Sequence, residues 1–282
     1  MVVVTIECRL GNQLFQYAFI KALSEELDTS FFLNERFERF IAADYFDVKG
    51  YNPLKNPIQR LYFKLSSGNI FKNLQNTEID SDYQLALNVL EDNKIYRGYF
   101  QSELFFKSIA DKIANYIHIK NKFKQRFQAM YQQLFAEYYV IAVHIRRGDY
   151  LNLNEWWVEK FGSSDLSLPV GYYLKCLKEI PKKDKYKIIF VSDDMDFVRT
   201  AFSDVENALF ANNDMITDFQ IIMNADACII SNSSFAWWAA YLNSKKDKKI
   251  YCPEHWLGFK IKREYPENII PGEWIKVNVT QG

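Results

Sequence analysis

Two adjacent arginines follow an apolar run in the segment H-I-R-R-G-D, from His144 to Asp149. Removing an unpaired guanidinium group from water costs several kcal/mol, so Arg146 and Arg147 need anionic partners. A diphosphate suits them, because planar guanidinium groups bind phosphate oxygens in pairs and would neutralise the charge on a departing nucleoside diphosphate. The alternative is a surface network in which Asp149 and another carboxylate pair with the arginines.

His144 precedes the arginine pair on the same apolar run. A single histidine on a buried strand is more often a hydrogen-bonded core residue than a catalyst, but its position favours contact with a ribose or a phosphate. The other histidines, His118 and His255, lie in no nucleophile motif and have no spaced partners. The sequence therefore supports neither a hydrolase triad nor a zinc site.

A second polar segment, S-N-S-S, ends at Ser234 and precedes a helical pattern that opens near Phe235. Ser233 or Ser234 could cap that helix, whose free N–H groups would face a bound anion, although simple capping accounts for the residues equally well. The tryptophan pair that follows is typical of helix packing rather than of a sugar platform. Upstream, Asp218 could cap its own helix or accept hydrogen bonds from a guanine.

Three aspartates, Asp193, Asp194 and Asp196, follow a further apolar run. Their D-x-D spacing could hold a divalent cation on a diphosphate. However, Asp193 lies where a helix N-cap belongs, and the other two fall in the first turn, where the helix dipole favours negative charge. We expect capping and no metal site, because the arginine pair already supplies the positive charge.

The loop R-L-G-N-Q joins the first strand pattern to the first helix pattern. Gly11 permits a tight turn or a close backbone approach, and Asn12 and Gln13 offer amide groups. An ordinary loop would look the same. The spacing is not G-x-G-x-x-G, so the sequence gives no support for a nicotinamide or flavin cofactor.

The polar segments of the second half all follow runs that are typical of strands buried on both faces, which indicates a parallel sheet. These strands are predicted over 138–145, 187–191 and 227–230. Ligands of open α/β sheets bind at the carboxyl ends of the strands, so a nucleotide or similar anion should bind there.

The first half is less regular. A strand is predicted over Val2–Ile6, with a helix after it, and another strand over Ile95–Phe100. Residues 102–136 are predicted to form two helices, and 34–94 a loop-rich or helical insertion. The length of 282 residues favours two domains, which we place at 1–136 and 137–282.

The composition limits the partners and the compartment. The 35 basic residues balance the 35 acidic ones, which argues against a nucleic-acid partner. No apolar run approaches the roughly 20 residues of a membrane span. The four cysteines are far apart and are expected to be reduced core thiols. We expect a cytoplasmic protein, with peripheral attachment to the inner membrane face left open.

Five segments, taken in order, resemble glycosyltransferase family 11, which comprises the bacterial and animal α-1,2-fucosyltransferases. They are L-G-N-Q-L-F-Q-Y-A at 10–18, G-Y-F-Q-S-E at 98–103, H-I-R-R-G-D-Y at 144–150, F-V-S-D-D at 190–194 and I-S-N-S-S-F-A-W-W-A-A at 230–240. The resemblance implies a GT-B architecture, with two Rossmann-like domains facing across a cleft. It also implies inverting transfer of fucose from GDP-fucose, without a metal or other cofactor.

By this resemblance the second domain holds the donor and the first faces the fucose and the acceptor. Arg146 and Arg147 would bind the diphosphate and act in catalysis with Asn12, while Asp149, Gly11 and Gln13 would have structural roles. The donor-binding set would also contain His144, Asp218, Ser233, Ser234 and Phe235. The sequence departs from the family at Cys8-Arg9, where relatives usually have a Gly-Gly or similarly small pair.

The acceptor implied by the family is a terminal β-galactoside, modified at O2, on an oligosaccharide or glycolipid. No residue stands out as the general base, and Glu7 and Glu103 are the candidates. Two other functions stay open: a metal-dependent hexosyltransferase that uses Asp194 and Asp196, and a glycan-binding relative without activity.

Overall fold

A computed structural model describes residues 1–51, 74–79, 90–181 and 183–279 of the chain. The described chain divides into two compact units, Met1–Lys120 and Asn121–Gly282. Each unit contains a parallel sheet with helices, so the α/β class expected from the sequence is confirmed.

The first unit is built on a four-stranded parallel sheet in the order β2-β1-β5-β4. Its strands are β1 (Val2–Thr5), β2 (Phe31–Asn34), β4 (Gln75–Glu78) and β5 (Lys94–Arg97). Helix α1 (Leu10–Glu26) follows β1 directly, as the pattern predicts, and most of its residues are buried. The three valines of β1 are fully buried, which explains why this strand carries no alternating pattern.

The remaining described elements of this unit are short. Strands β3 (Phe46–Val48) and β6 (Ile117–Ile119) pair in antiparallel fashion. The helices are α2 (Ala42–Tyr45), a 3₁₀ helix (Glu103–Ile109) and α3 (Ile113–Tyr116). The segment 102–136 therefore contains a strand as well as helices, and the prediction of two helices there was wrong in this respect. Much of the predicted insertion at 34–94 lies outside the described residues.

The second unit is built on a six-stranded parallel sheet in the order β12-β11-β10-β7-β8-β9. Its strands are β7 (Tyr139–Ile145), β8 (Tyr186–Ser192), β9 (Ala208–Phe210), β10 (Ala227–Ile229), β11 (Lys249–Pro253) and β12 (Ile275–Val277). Its helices are α4 (Asn121–Glu137), α5 (Glu155–Phe161), α6 (Val170–Glu179), α7 (Met195–Ala201), α8 (Met215–Asn224) and α9 (Ser234–Tyr241).

The strand order of this sheet reverses beside β7. From β7 the chain proceeds to β8 and β9 on one side, and then returns to form β10 on the other side. The reversal creates a crevice at the carboxyl ends of β7 and β10, which is where open α/β sheets bind their ligands. All three strands predicted for this half are present with nearly their expected ends.

The division between the units falls before α4 and not at residue 136. Helix α4 belongs to the second unit, because Nε2 of Gln220 on α8 donates to the carbonyl of Phe123 (3.2 Å) and Tyr131 bonds to Asn213. An ion pair between Arg126 and Asp214 adds to this contact. In the described part of the chain, no helix combines the length and apolar character needed to cross a bilayer.

Candidate nucleotide-binding site

The Arg146 side chain lies between two carboxylates at the carboxyl end of β7. Its Nη2 is 2.5 Å from Oδ1 of Asp149, and its Nη1 is 3.0 Å from Oδ2 of Asp193. Asp149 lies on the short 3₁₀ turn Gly148–Tyr150 and its side chain is 45% exposed, against 27% for Asp193. The surface carboxylate network that the sequence left open is therefore present.

Arg147 is held differently from its neighbour. Its Nε donates to Oδ2 of Asp194 (3.0 Å), and its guanidinium carbon lies 3.4 Å from the centroid of the Phe197 ring on α7. Its backbone N–H donates to Oδ1 of Asp193 (3.0 Å). The Asp193 carboxylate therefore bridges the two arginines, because it binds the side chain of Arg146 and the backbone N–H of Arg147.

The N-cap of α7 is Asp194, not Asp193 as the sequence predicts. Oδ1 of Asp194 accepts from the backbone N–H of Phe197 (3.2 Å), while Asp196 lies in the first turn. Asp193 has no capping role because the chain is still leaving β8 at that residue, and its carboxylate turns to the arginines. The three aspartates thus divide between capping and arginine binding, and the described residues contain no group of three His, Cys, Asp or Glu side chains arranged for a metal ion.

Gly148 brings the backbone close to this network. A Cβ atom at this position would lie 2.4 Å from Oδ2 of Asp193. A side chain at this position would therefore force the bridging carboxylate of Asp193 to shift.

His144 connects the ends of β7 and β10. Its Nδ1 lies 2.9 Å from Oγ of Ser231, and its ring centroid lies 5.6 Å from that of Phe235. Burial, with a contribution from the positive charge of Arg146, lowers the pKa of His144 to about 3. The imidazole is therefore neutral at physiological pH, and it is a buried, hydrogen-bonded residue at the carboxyl end of β7.

The N-terminus of α9 meets the same crevice. Ser233 occupies the N-cap position, but its hydroxyl makes no capping hydrogen bond, and Ser234 is the first residue of the helix. Simple capping therefore does not account for the Ser233 hydroxyl. Trp237 and Trp238 are fully buried in this helix, as their assignment to helix packing predicts.

Asn232 lies in the S-N-S-S segment and is hydrogen-bonded through both its side chain and its backbone. Its Nδ2 donates to the carbonyl of Leu166 (3.0 Å), and its own carbonyl accepts from the hydroxyl of Tyr150 (3.1 Å). These bonds join the arginine turn to the loop before α9. Oδ1 of Asn232 is buried without a hydrogen-bond partner among the described residues.

Asp218 does not cap its helix. Asp214 is the N-cap of α8 and accepts from the backbone N–H of Thr217 (3.0 Å), so Asp218 lies within the first turns. Oδ1 of Asp218 accepts from Nδ2 of Asn213 (3.1 Å), and burial raises the pKa of Asp218 to about 6. The adjacent Phe219 packs edge-on against Phe235, with ring centroids 5.4 Å apart. Asp218 is thus linked to the crevice through a neighbour rather than by direct contact with the arginines.

The predicted residues of the first unit lie at the start of α1. The amide of Gln13 is buried and binds three backbone groups, those of Cys8, Arg39 and Ile41. Gly11 is buried in the same helix, and Oδ1 of Asn12 accepts from Gln101 (2.7 Å).

The backbone at Cys8 has an uncommon conformation. Cys8 has a φ of 65°, in the left-handed region that favours glycine, at the position where the resemblance implies a Gly-Gly or similarly small pair. The candidate base beside it, Glu7, is ion-paired with Arg97 (2.8 Å).

The structure brings together most of the residues predicted for the donor. Six of the seven, His144, Arg146, Arg147, Ser233, Ser234 and Phe235, lie at or just beyond the carboxyl ends of β7 and β10. Asp149, for which a structural role is expected, lies there as well. Phe197 and Tyr150 also contact the arginines, and neither was predicted. Phe197 could have been found from its position three residues after the capping Asp194, which places it on the first turn of α7.

Comparisons with known proteins agree with this architecture. The NodZ α-1,6-fucosyltransferase, whose crystals were soaked with GDP-fucose, superposes with a TM-score of 0.56 over 86% of this chain and 92% of that chain, at 15% identity. At this identity the likeness concerns the fold, and the fold is of the GT-B type.

Two Escherichia coli proteins are similar in sequence. The O-antigen biosynthesis glycosyltransferase WbnK is 26% identical over 88% of this chain and 92% of its own length. An α-1,2-colitosyltransferase is 25% identical over 98% of this chain and 99% of its own length.

The family model for glycosyl transferase family 11 matches residues 1–278, nearly the whole chain. The motifs at the carboxyl ends of β7, β8 and β10 all fall within this match. The chain is a glycosyltransferase that belongs to glycosyl transferase family 11.

Proposed function

We propose that this glycosyltransferase moves L-fucose from GDP-fucose to a hydroxyl of an oligosaccharide, with inversion at the fucose C1 and without a metal ion. The observation that carries the proposal is the position of Arg146 and Arg147 at the topological switch point of the sheet. A nucleotide binds at this place in open α/β folds, and two guanidinium groups can neutralise a diphosphate.

Donor binding requires an exchange of anions at Arg146. The two Nη groups of this side chain bind Asp149 and Asp193. Asp149 is the more exposed of the two and lies on a short turn. Phosphate oxygens would therefore displace Asp149 from Arg146 at a lower cost in free energy than they would displace Asp193. Asp193 would remain as the bridge between the arginines.

The rest of the donor would bind around the same crevice. The hydroxyls of Ser233 and Ser234 and the free N–H groups of α9 would face phosphate oxygens. Neutral His144 would contact the nucleotide beside Phe235, and Asp218 would accept hydrogen bonds from the guanine. In the first unit, Asn12 would serve the fucose and the acceptor.

The chemical step would be an in-line displacement. The bond between the fucose C1 and the β-phosphate oxygen breaks as an acceptor oxygen attacks from the opposite face and passes its proton to solvent water. The electron pair leaves with GDP, and the arginines stabilise the negative charge that develops on it. If departure of the leaving group dominates this barrier, the reaction needs no strong general base.

We propose O2 of a terminal β-galactoside as the acceptor position. The similarity to an α-1,2-colitosyltransferase supports the linkage, and the similarity to an O-antigen biosynthesis glycosyltransferase supports a saccharide as the acceptor. The colitosyltransferase also favours a second candidate donor, GDP-colitose, because it is similar to this chain along almost its whole length.

The test is a GDP-release assay with GDP-fucose, GDP-colitose and GDP-mannose, each with and without lactose, followed by linkage analysis of the product. We expect release from GDP-fucose that depends on lactose, with the new bond at O2 of galactose. A preference for GDP-colitose would show that the donor is GDP-colitose and not GDP-fucose, while the proposed nucleotide site would stand.

The same assay in EDTA separates this mechanism from a metal-dependent one. A hexosyltransferase that used Asp194 and Asp196 would lose activity and regain it with Mg²⁺ or Mn²⁺. We expect unchanged turnover in EDTA. Glycan binding without GDP release from any donor would contradict the proposal.

A further inference from the structure

We propose that Phe197 is a positioning residue, whose ring holds the Arg147 guanidinium group in the orientation that binds the donor diphosphate. The inference rests on the proposed function, because it assigns Arg147 to that diphosphate. It adds a residue outside the arginine, serine and histidine motifs.

The contact between the two side chains is close. The guanidinium carbon of Arg147 lies 3.4 Å from the centroid of the Phe197 ring, whereas the corresponding distance from Arg146 to the Tyr150 ring is 5.7 Å. A cation over the face of an aromatic ring is attracted by the ring quadrupole, and a planar guanidinium group also stacks on it. Phe197 is half-buried, so the ring face that meets Arg147 is partly shielded from water.

One carboxylate fixes both partners. Oδ2 of Asp194 accepts from Nε of Arg147 (3.0 Å), while Oδ1 of the same group accepts from the backbone N–H of Phe197 (3.2 Å). Asp194, the N-cap of α7, therefore positions both the Phe197 ring and the Arg147 guanidinium group.

This arrangement leaves the outer edge of Arg147 for a ligand. The hydrogen bonds that the described residues provide to its guanidinium group use Nε, in contrast to Arg146, whose Nη1 and Nη2 both meet carboxylates. A phosphate binds two guanidinium N–H groups in one plane. With the plane set by Phe197, less side-chain freedom is lost when the donor binds.

The experiment is a double-mutant cycle read by calorimetric binding of GDP. Phe197→Leu removes the ring face, Phe197→Tyr keeps it, and Arg147→Ala removes its partner. The fourth protein carries Phe197→Leu and Arg147→Ala together. Phe197→Met is the second ring-free variant in case leucine packs poorly, and thermal melting checks the fold of each protein.

The matched control is Phe210→Leu. Phe210 ends β9 at the edge of the sheet, is also half-buried, and lies under Arg199 at 5.5 Å in a contact of the same kind. We expect this variant to bind GDP like the wild type.

We expect Phe197→Leu to weaken GDP binding by about 3- to 30-fold, the range of a cation–π contact at partly to fully desolvated sites. Phe197→Tyr should stay within about 2-fold of the wild type, and the double variant should bind no more weakly than Arg147→Ala alone. Wild-type binding by Phe197→Leu, equal losses in the leucine and tyrosine variants, or additive losses in the cycle would each overturn the inference. Unchanged binding by Arg147→Ala would instead overturn the proposed role of the arginines.

Discussion

His144 and Ser231 join two neighbouring strands: Nδ1 of the histidine lies 2.9 Å from Oγ of the serine, at the carboxyl ends of β7 and β10. Because burial lowers the pKa of His144 from 6.5 to about 3, the unfolded chain binds more protons than the folded chain between these pH values. Stability should therefore fall as the pH is lowered through this window. We expect His144 to account for a loss of about 2 kcal/mol in the free energy of unfolding between pH 7 and pH 5.

The measurement is urea unfolding at both pH values for the wild type and for His144→Asn, which can retain a bond to Ser231 and does not titrate. Between pH 7 and pH 5, the free energy of unfolding of the variant should fall by about 2 kcal/mol less than that of the wild type. Equal pH dependence in the two proteins would contradict the buried, neutral state of His144.

Arg146→Ala should lower kcat by about 10²- to 10³-fold, the cost of removing a donor that stabilises a developing anion. Its partners Asp149 and Asp193 are partly exposed, so stability should change little by comparison. Turnover of GDP-fucose and thermal melting check the two expectations. The control is Lys245→Ala, which breaks the ion pair to Asp226 elsewhere in the same unit and should leave turnover unchanged. Near-normal turnover by Arg146→Ala would remove the basis of the proposed mechanism.

Gly148→Ala should reduce activity at least about 10-fold, because the new methyl group would collide with the carboxylate of Asp193 and misplace the bridge between the arginines. The control is Gly171→Ala in α6, where an added Cβ meets nothing within 4 Å. That change should preserve activity and leave stability equal or up to about 1 kcal/mol higher. Steady-state kinetics and melting of both variants test this pair, and equal activity in the two would show that Asp193 can move without cost.

The pH dependence of GDP binding should report on Asp218. Its carboxylate can accept hydrogen bonds from a guanine only when ionised, and with a pKa of about 6 it is ionised above that pH. Between pH 7.5 and pH 5, protonation of this group should weaken binding by about 10-fold. Calorimetry of the wild type beside Asp218→Asn separates this from titration of the GDP phosphates, which affects both proteins equally. If the two proteins have parallel pH profiles, Asp218 does not bind the guanine in its ionised form.

The strands that carry the site could be predicted from the sequence, because long β-branched runs that end in polar groups are typical of buried parallel strands. The runs ending at Ile145, Val191 and Ile230 each form a strand with nearly the expected bounds. The short strand at Ile117–Ile119 could not be predicted in the same way, since its pairing with β3 is a contact between distant parts of the chain.

The sequence also could not decide which of two aspartates caps a helix. Asp193 and Asp194 have the same chemistry, and only the point at which the chain leaves β8 decides which one caps α7. Asp214 and Asp218 present the same problem on α8. Helix α4 belongs to the second unit because of its contacts with α8, such as the hydrogen bond from Gln220 to Phe123. Helix α8 is distant from α4 in the sequence, so these contacts could not be predicted.

The carboxylates around the arginine pair determine how the rate of donor association depends on charge. Three of them, Asp149, Asp193 and Asp194, face two guanidinium groups, so this cluster by itself has a net charge of −1. An incoming nucleotide sugar therefore meets no local excess of positive charge to draw it from a distance, and its capture depends on partner exchange at contact range. We expect the association rate constant to depend only weakly on ionic strength.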